Sequence, residues 1–158
     1  MPDVAPSFHP PSPWWCALHL PPQAQADETG HRAARHEWLA GYAYGFSAEV
    51  SLREPDTVLF EAGRSLELAG CGVQVRIACA PTPLAARCFA RAHDGLAVAD
   101  ATQLQRLLAR LPLALAGLPD DALRLLERSG FKRLGDVLAL PRAALAKRIG
   151  PAVLARID

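Results

Sequence analysis

Ser51 to Gly63, SLREPDTVLFEAG, constrains the fold of this chain more than any other stretch. Glu54-Pro55-Asp56 carries turn chemistry, and Thr57 to Glu61 after it is rich in β-branched and aromatic residues and closed by Ala62-Gly63. The segment reads as two short strands around a turn, and the rest of the chain is organised about that hairpin. Asp56 and Glu61 are its acidic candidates for chemistry. Five residues apart on extended backbone, they point to opposite faces, which is poor geometry for one metal site.

At 158 residues the chain makes one ordinary domain, or two small lobes that share a core, and its 51% apolar content is that of a packed protein. The formal net charge of +1 hides an uneven distribution. From Leu111 to Asp158 there are eight basic residues against five acidic ones, a net of +3, which leaves −2 on the remainder. A mildly basic C-terminal lobe is compatible with phosphate contact, although charges this sparse fit an ordinary solvated helix surface better. The four cysteines (Cys16, Cys71, Cys79, Cys88) form no C-x-x-C and read as reduced core or near-core thiols, not a disulfide frame or zinc site. The start MPDVAPSFHPPSP has no basic region before an apolar run, and no segment approaches roughly 18 unbroken apolar residues. The expectation is a cytoplasmic protein with no membrane partner.

Met1 to Pro13 holds five prolines without periodicity and reads as a disordered lead-in. WWCALHL, Trp14 to Leu20, is a short apolar run that fits a strand buried on both faces, with His19 a satisfied core or edge histidine. Pro21 to Gly30 is a polar connection, and His31 to Tyr44 is a helix. His31 and His36, five apart, lie well around that helix from one another, so no zinc pair is expected. Arg64 to Gly72 leads from the hairpin through a Gly70-Cys71-Gly72 turn. Val73 to Cys79 alternates with period two as a half-buried strand. Thr82 caps a helix with Pro83 at its first position, Leu96 to Val98 is a short strand, and Asp100 caps Ala101 to Leu111. The order strand, helix, strand pair, strand, helix, strand implies an α+β layer with helices on a small mixed sheet.

From Leu111 onward short helices are broken by Gly and Pro: Asp120 to Arg128 with Gly130 as its left-handed cap, Leu134 to Leu140, and Arg142 to Ile149 stopped by Gly150-Pro151. This is the pattern of helix-hairpin-helix units. A tight glycine turn in such a unit leaves backbone N–H groups free to donate to a DNA phosphate without reading bases.

FSAEVSLREPDTVLFEAGRSL, APTPLAARCFARA and LPLALAGLPDDALRLLERSGFKRLGDVLALPRAALAKRIGPAVLARID resemble, in that order, the palm hairpin, the palm helix and the thumb of Y-family translesion polymerases, and WWCALHLP resembles their opening palm strand. The chain is most similar to the ImuB group, bacterial homologues that lack catalytic acids and serve as accessory proteins in damage-induced mutagenesis. The resemblance places Asp56 at the first position of the metal-binding acidic pair and Thr57 at the second. A further aspartate of an active polymerase would fall near Ala17 to His19, none of which is acidic. Glu61 matches a later acidic position that does not complete the pair. Two divalent ions roughly 3.5–4 Å apart need several converging anionic oxygens, which one carboxylate does not supply. The resemblance thus implies vestigial acids at Asp56 and Glu61, no bound metal or cofactor, and no nucleotidyl transfer.

The same resemblance divides the chain into a lead-in (1–13), a palm-like α+β domain (14–100) and a thumb-like helix-hairpin-helix lobe (101–158). Too few residues separate Leu20 and Trp38 for a fingers subdomain. Between Leu66 and Val73 only ELAGCG stands where a palm helix is expected. No little finger or C-terminal tail follows Asp158, so the chain resembles a pruned version: a short paralogue, a decaying copy or a fragment. The implied partners are primer-template or damaged DNA, a replicative-type polymerase and other mutagenesis proteins, in the cytoplasm at the nucleoid. The expected DNA contacts are the amides around Gly117 and Leu118 with Lys132, Arg133, Arg142, Lys147 and Arg148, although Pro119 removes one N–H where such hairpins usually carry a second glycine. Two alternatives stand beside this: a residual enzyme using Asp56 and Glu61, and a protein-interaction module without DNA contact.

Overall fold

The apolar run after Pro13 is the middle of the fold. In the computed structural model, which describes residues 13–22, 29–62 and 75–157, β1 (Trp15–His19) pairs antiparallel on one side with β3 (Thr57–Glu61) and on the other with β4 (Arg76–Ala80). Neighbours on both edges and helices on both faces bury it almost throughout, which is why its sequence shows no polar alternation. The full order is β2-β3-β1-β4-β5, with β2 (Val50–Glu54) at one edge and β5 (Leu96–Ala97) at the other. β5 runs parallel to β4 because α2 (Pro83–Ala92) crosses over between them. The sheet is mixed and the class α+β, as expected.

β2 carries a bulge that matters below. Ser51 opposes Leu59 and Glu54 opposes Thr57, so three steps on β2 match two on β3. The extra residue re-aims the strand: Leu52 and Arg53 face solvent while Glu54 turns inward to 6% exposure.

α1 (Thr29–Tyr44) covers the face formed by Cys16, Leu18, Val58 and Phe60. α2 covers the opposite face, over Ala17, Leu59 and Ala78. Thr82 caps α2, its hydroxyl accepting from the Ala85 amide at 3.3 Å, and Pro83 opens it. Leu84 through Ala90 are all buried, Arg87 among them, because the sheet lies on one side of the helix and the C-terminal helices on the other.

Those helices are α3 (Ala101–Arg110), a 3₁₀ turn (Leu113–Ala116), α4 (Asp120–Arg128), α5 (Leu134–Leu138), α6 (Arg142–Ile149) and α7 (Pro151–Leu154). Asp100 caps α3 through the Gln103 amide at 2.6 Å. Gly130, at φ 91°, ends α4 in a Schellman arrangement, with Phe131 N–H donating to the Leu126 carbonyl and Gly130 N–H to that of Glu127. α3 and α5 meet at backbone distance, since a Cβ on Gly135 would lie 2.8 Å from Ala109 Cβ. Leu108, Leu113, Leu126, Leu134 and Leu145 share one continuous core with Ala85 and Phe89 of α2.

Several boundaries differ from expectation; α3 ends at Arg110 and β5 at Ala97, each one residue early. The helix read from His31 begins at Thr29, and the one read to Leu140 ends at Leu138, where the Ala139 and Leu140 amides close a final turn on Gly135 and Val137 before Pro141. The strand read as Val73 to Cys79 is Arg76–Ala80, its register set by pairing along the whole of β1. Residues 73 and 74, most of the lead-in, the Gly70-Cys71-Gly72 turn and the ELAGCG stretch lie outside the described residues, as does much of the connection after Pro22. Among the described residues no helix is long and apolar enough to cross a membrane, and Cys16, Cys79 and Cys88 are buried free thiols.

Candidate functional site

The β2–β3 turn delivers Glu54 and Asp56 to one end of the sheet, where the C-terminal part of α2 and the 3₁₀ turn converge. The hairpin bulge aims Glu54 inward, and helical spacing puts Arg87 and Arg91 on one side of α2. Arg91 Nη2 stands between the two carboxylates, 3.1 Å from Glu54 Oε2 and 2.8 Å from Asp56 Oδ1. Its Nη1 donates to the Leu115 carbonyl at 3.1 Å. Glu54 also receives Arg87 Nη1 at 3.5 Å and is hydrogen-bonded by Arg156, just beyond α7. Arg87 Nη2 reaches two main-chain carbonyls, Ala116 at 2.7 Å and Arg156 at 2.9 Å. The β2–β3 hairpin, α2, the 3₁₀ turn and the segment after α7 are thereby tied at a single point.

Two carboxylates facing three guanidiniums leave a formal +1. Desolvating so many charges costs nearly as much as their attraction returns, so the cluster fixes geometry more than it adds net stability. The accounting is incomplete in one place, because Arg87 Nε and Arg156 Nε are buried without a hydrogen-bond partner. Burial pushes the Arg87 pKa down. Burial acts the same way on Arg91, but its bonds to Asp56 and Glu54 outweigh it and the net shift is upward. For Asp56, burial pushes upward, yet the Arg91 hydrogen bond and charge, with help from Thr57 and His19, hold the carboxyl below its usual range.

Thr57 occupies the position beside Asp56 in a defined way. Its hydroxyl donates to Asp56 Oδ1 at 2.9 Å, and its oxygen lies 3.0 Å from His19 Nδ1. Since that hydroxyl has one proton, His19 Nδ1 is the donor of the second bond. His19 is a satisfied, nearly buried histidine, as read from the sequence, and burial lowers its pKa. Asp56 Oδ1 is thus committed to Arg91 and Thr57, and Glu54 to three guanidiniums. Among the described residues no three His, Cys, Asp or Glu side chains gather as a metal-binding set.

The other sequence-derived candidates are dispersed. Glu61 ends β3 opposite Trp15, a strand length of about 16 Å from Asp56. Gly117, at φ 64°, lies against the cluster: a Cβ there would sit 2.5 Å from Arg91 Nη1 and 3.0 Å from Glu54 Oε2. The Leu118 side chain is buried in the core. Lys132 and Arg133 are exposed at the start of α5, where their amides donate to Asp136. Arg142 begins α6 and Lys147 and Arg148 end it, all exposed, with the Arg148 guanidinium 5.9 Å from the Phe131 ring centre. Sequence reasoning missed Glu54, Arg87, Arg91 and Arg156. The available signal was a pair of arginines four apart in APTPLAARCFARA, a helix otherwise made of small and apolar residues.

No family model matches the chain. Protein ImuB from each of two strains of Caulobacter vibrioides is 46% identical over 91 residues, a stretch that covers 58% of this chain and 20% of theirs. The chain therefore matches about a fifth of the length of those curated relatives. A DinB-family error-prone DNA polymerase from Sulfolobus solfataricus superposes with a TM-score of 0.61 at 13% identity, over 91% of this chain and 64% of that one. DinB from the same organism gives 0.54 at 16% identity, and the insertion ternary complex of Dbh DNA polymerase 0.56 at 18%, each over 82% of this chain and 44% of the other. At those identities the likeness is one of fold.

Proposed function

We propose that this chain, an ImuB-like homologue of the Y-family DNA polymerases, works without catalysis as an accessory in damage-induced translesion synthesis, its thumb-like helices touching the DNA backbone. The observation that carries the reading is Arg91 Nη2, set between Glu54 and Asp56 where a divalent cation would otherwise find two carboxylates. Thr57 supports it, since the residue beside Asp56 offers a hydroxyl already engaged by Asp56 and His19. A site whose anionic oxygens are satisfied by fixed guanidiniums cannot gather two ions for in-line displacement. DNA as the partner follows from the polymerase fold and from the exposed Lys132, Arg133, Arg142, Lys147 and Arg148 on neighbouring helices. The test is fluorescence anisotropy with a labelled primer-template duplex. Affinity that falls steeply and linearly in log–log form with salt, and that ignores sequence, supports the reading; no binding at low salt removes it.

One observation favours the interaction-module alternative. Trp38, Tyr42 and Phe46 form a ladder along and just beyond α1, with Trp38 and Tyr42 stacked at 5.6 Å, and Trp38, Tyr44 and Phe46 are each about half exposed. Such an aromatic strip suits docking onto another polypeptide, for which the replicative-type polymerase and other mutagenesis proteins are the candidates. A clean monomer by size exclusion that still binds duplex favours the first reading over this one.

A further inference from the structure

Cys16 and Cys79 stand directly opposite one another on β1 and β4, so their side chains leave the same face of the sheet. Their Sγ atoms are 3.2 Å apart. Residues paired across an antiparallel ladder have Cα atoms about 4.5–5.5 Å apart, inside the range a disulfide accepts, and a bond asks the sulfurs to close by about 1 Å. Access to the two differs. Cys16 is fully enclosed, whereas Cys79 is 9% exposed. Among the described residues α1 packs on that face over β2 and β3, while toward β4 Ile77, two residues before Cys79 and on its face, is only half-buried. A small oxidant thus meets Cys79 first and Cys16 only through it. Cys88 has no such pairing: it lies on α2, across the sheet, where its Sγ donates to the Leu115 carbonyl at 3.5 Å.

We propose that Cys16 and Cys79 are a reversible redox pair, closed to a cross-strand disulfide by hydrogen peroxide and reopened by a thiol reductant. The Cys79 sulfur attacks the peroxide, the O–O bond breaks, and the products are a Cys79 sulfenic acid and water. The Cys16 sulfur then attacks the Cys79 sulfur. The S–S bond forms as the S–O bond breaks, and the departing hydroxide takes the Cys16 proton and leaves as water. Two thiols and one peroxide give one disulfide and two waters, and two equivalents of an external thiol restore both cysteines. The partners are 63 residues apart, so the bond closes a loop that holds α1, β2 and β3 and ties the central strand to β4, which leads into α2. Oxidation therefore staples the sheet, and it stabilises the fold by restricting the unfolded chain. The inference is independent of duplex contact and of the proposed absence of catalysis.

For the test, the full chain, reduced and then freed of reductant, is treated under native conditions with equimolar hydrogen peroxide, quenched with N-ethylmaleimide in denaturant and digested with trypsin. Cys16 falls in the peptide Met1 to Arg32, Cys71 in Ser65 to Arg76 and Cys79 in Ile77 to Arg87, so each pairing has its own mass. The expected result is a Cys16–Cys79 linked pair that dithiothreitol separates. The oxidised chain should melt roughly 8–16 °C higher and return to the reduced Tm on reduction. In Cys16→Ser the Cys79 sulfenic acid has no partner, so dimedone should label it and peroxide should no longer raise Tm. Should that variant fail to fold, the wild-type peptide map and melt decide alone. The proposal is overturned if Cys79 stays unlinked, if it links to Cys71, Cys88 or a second chain instead of Cys16, or if the linked chain shifts in Tm by less than about 2 °C. A folded Cys16→Ser that peroxide still stabilises overturns it as well.

Discussion

Replacing Arg91 by methionine keeps the apolar stem of the side chain and deletes the cation, so it isolates what the guanidinium contributes. Three contacts disappear: Glu54 Oε2, Asp56 Oδ1 and the Leu115 carbonyl. Removing one partner from a fully buried ion pair costs about 3–5 kcal/mol. Here Glu54 retains Arg87 and Arg156, while Asp56 retains Thr57 and is 26% exposed, so water reaches part of it. Both facts reduce the loss, to about 2–3 kcal/mol. For a chain of this size that is a fall in Tm of roughly 4–12 °C, read by circular dichroism and checked by urea unfolding. The variant also leaves two carboxylate oxygens facing one vacated point, so millimolar Ca²⁺ or Mn²⁺ should raise its Tm and leave the wild type unmoved. A double-mutant cycle with Asp56→Asn should show coupling of about 1 kcal/mol or more. A drop below about 2 °C, or coupling near zero, would refute the claim that Arg91 supplies the cation that Glu54 and Asp56 share.

Other outcomes follow from the same geometry. Gly117→Ala puts a Cβ at positive φ and 2.5 Å from Arg91 Nη1, so it should cost about 1–2 kcal/mol for the backbone and more for displacing Arg91, seen as a lower urea midpoint. Acid should unfold the chain in two stages. The folded-state pKa of His19 lies below its usual 6.5, so the unfolded chain takes up that proton first and stability declines as pH falls below about 6.5. Asp56 contributes fully above its usual 3.8 and is lost as pH falls through its lower folded value, so Asp56→Asn should erase the second stage from a pH series of urea midpoints. Lys147→Ala and Arg148→Ala should each weaken duplex binding regardless of sequence and reduce the log–log salt slope by about 1 if the side chain meets a phosphate; an unchanged slope places that residue off the DNA.

Much of the fold was legible because its signals are local. Thr82-Pro83, Asp100 and Gly130 each act within a few residues, and each does in the structure what its chemistry dictates. The unbroken apolar texture of Trp15–His19 likewise announced a strand covered on both faces. The ion cluster was not legible, because Arg156 and Glu54 are 102 residues apart and meet through packing alone. Glu54 looked like an ordinary turn residue, and only the bulge in β2 turns it inward. Gly117 was read as a DNA-contacting turn, and nothing local says that its positive φ sets it against Arg91 and Glu54. Arg87 and Arg91, four apart in an otherwise apolar helix, were the recoverable clue: buried cations require carboxylates nearby, and the turn of the adjacent hairpin had two, Glu54 and Asp56.

The proposed absence of catalysis rests on the Arg91 guanidinium standing between Glu54 and Asp56 where a divalent cation would otherwise bind, and on the Thr57 hydroxyl beside Asp56. The most direct measurement is single-turnover primer extension, with the protein in excess over a primer-template, all four nucleotides, and Mg²⁺ or Mn²⁺. The account predicts no template-dependent elongation under either ion while the same preparation shifts the duplex in anisotropy. Elongation by the wild-type chain, abolished by Asp56→Asn, would contradict it.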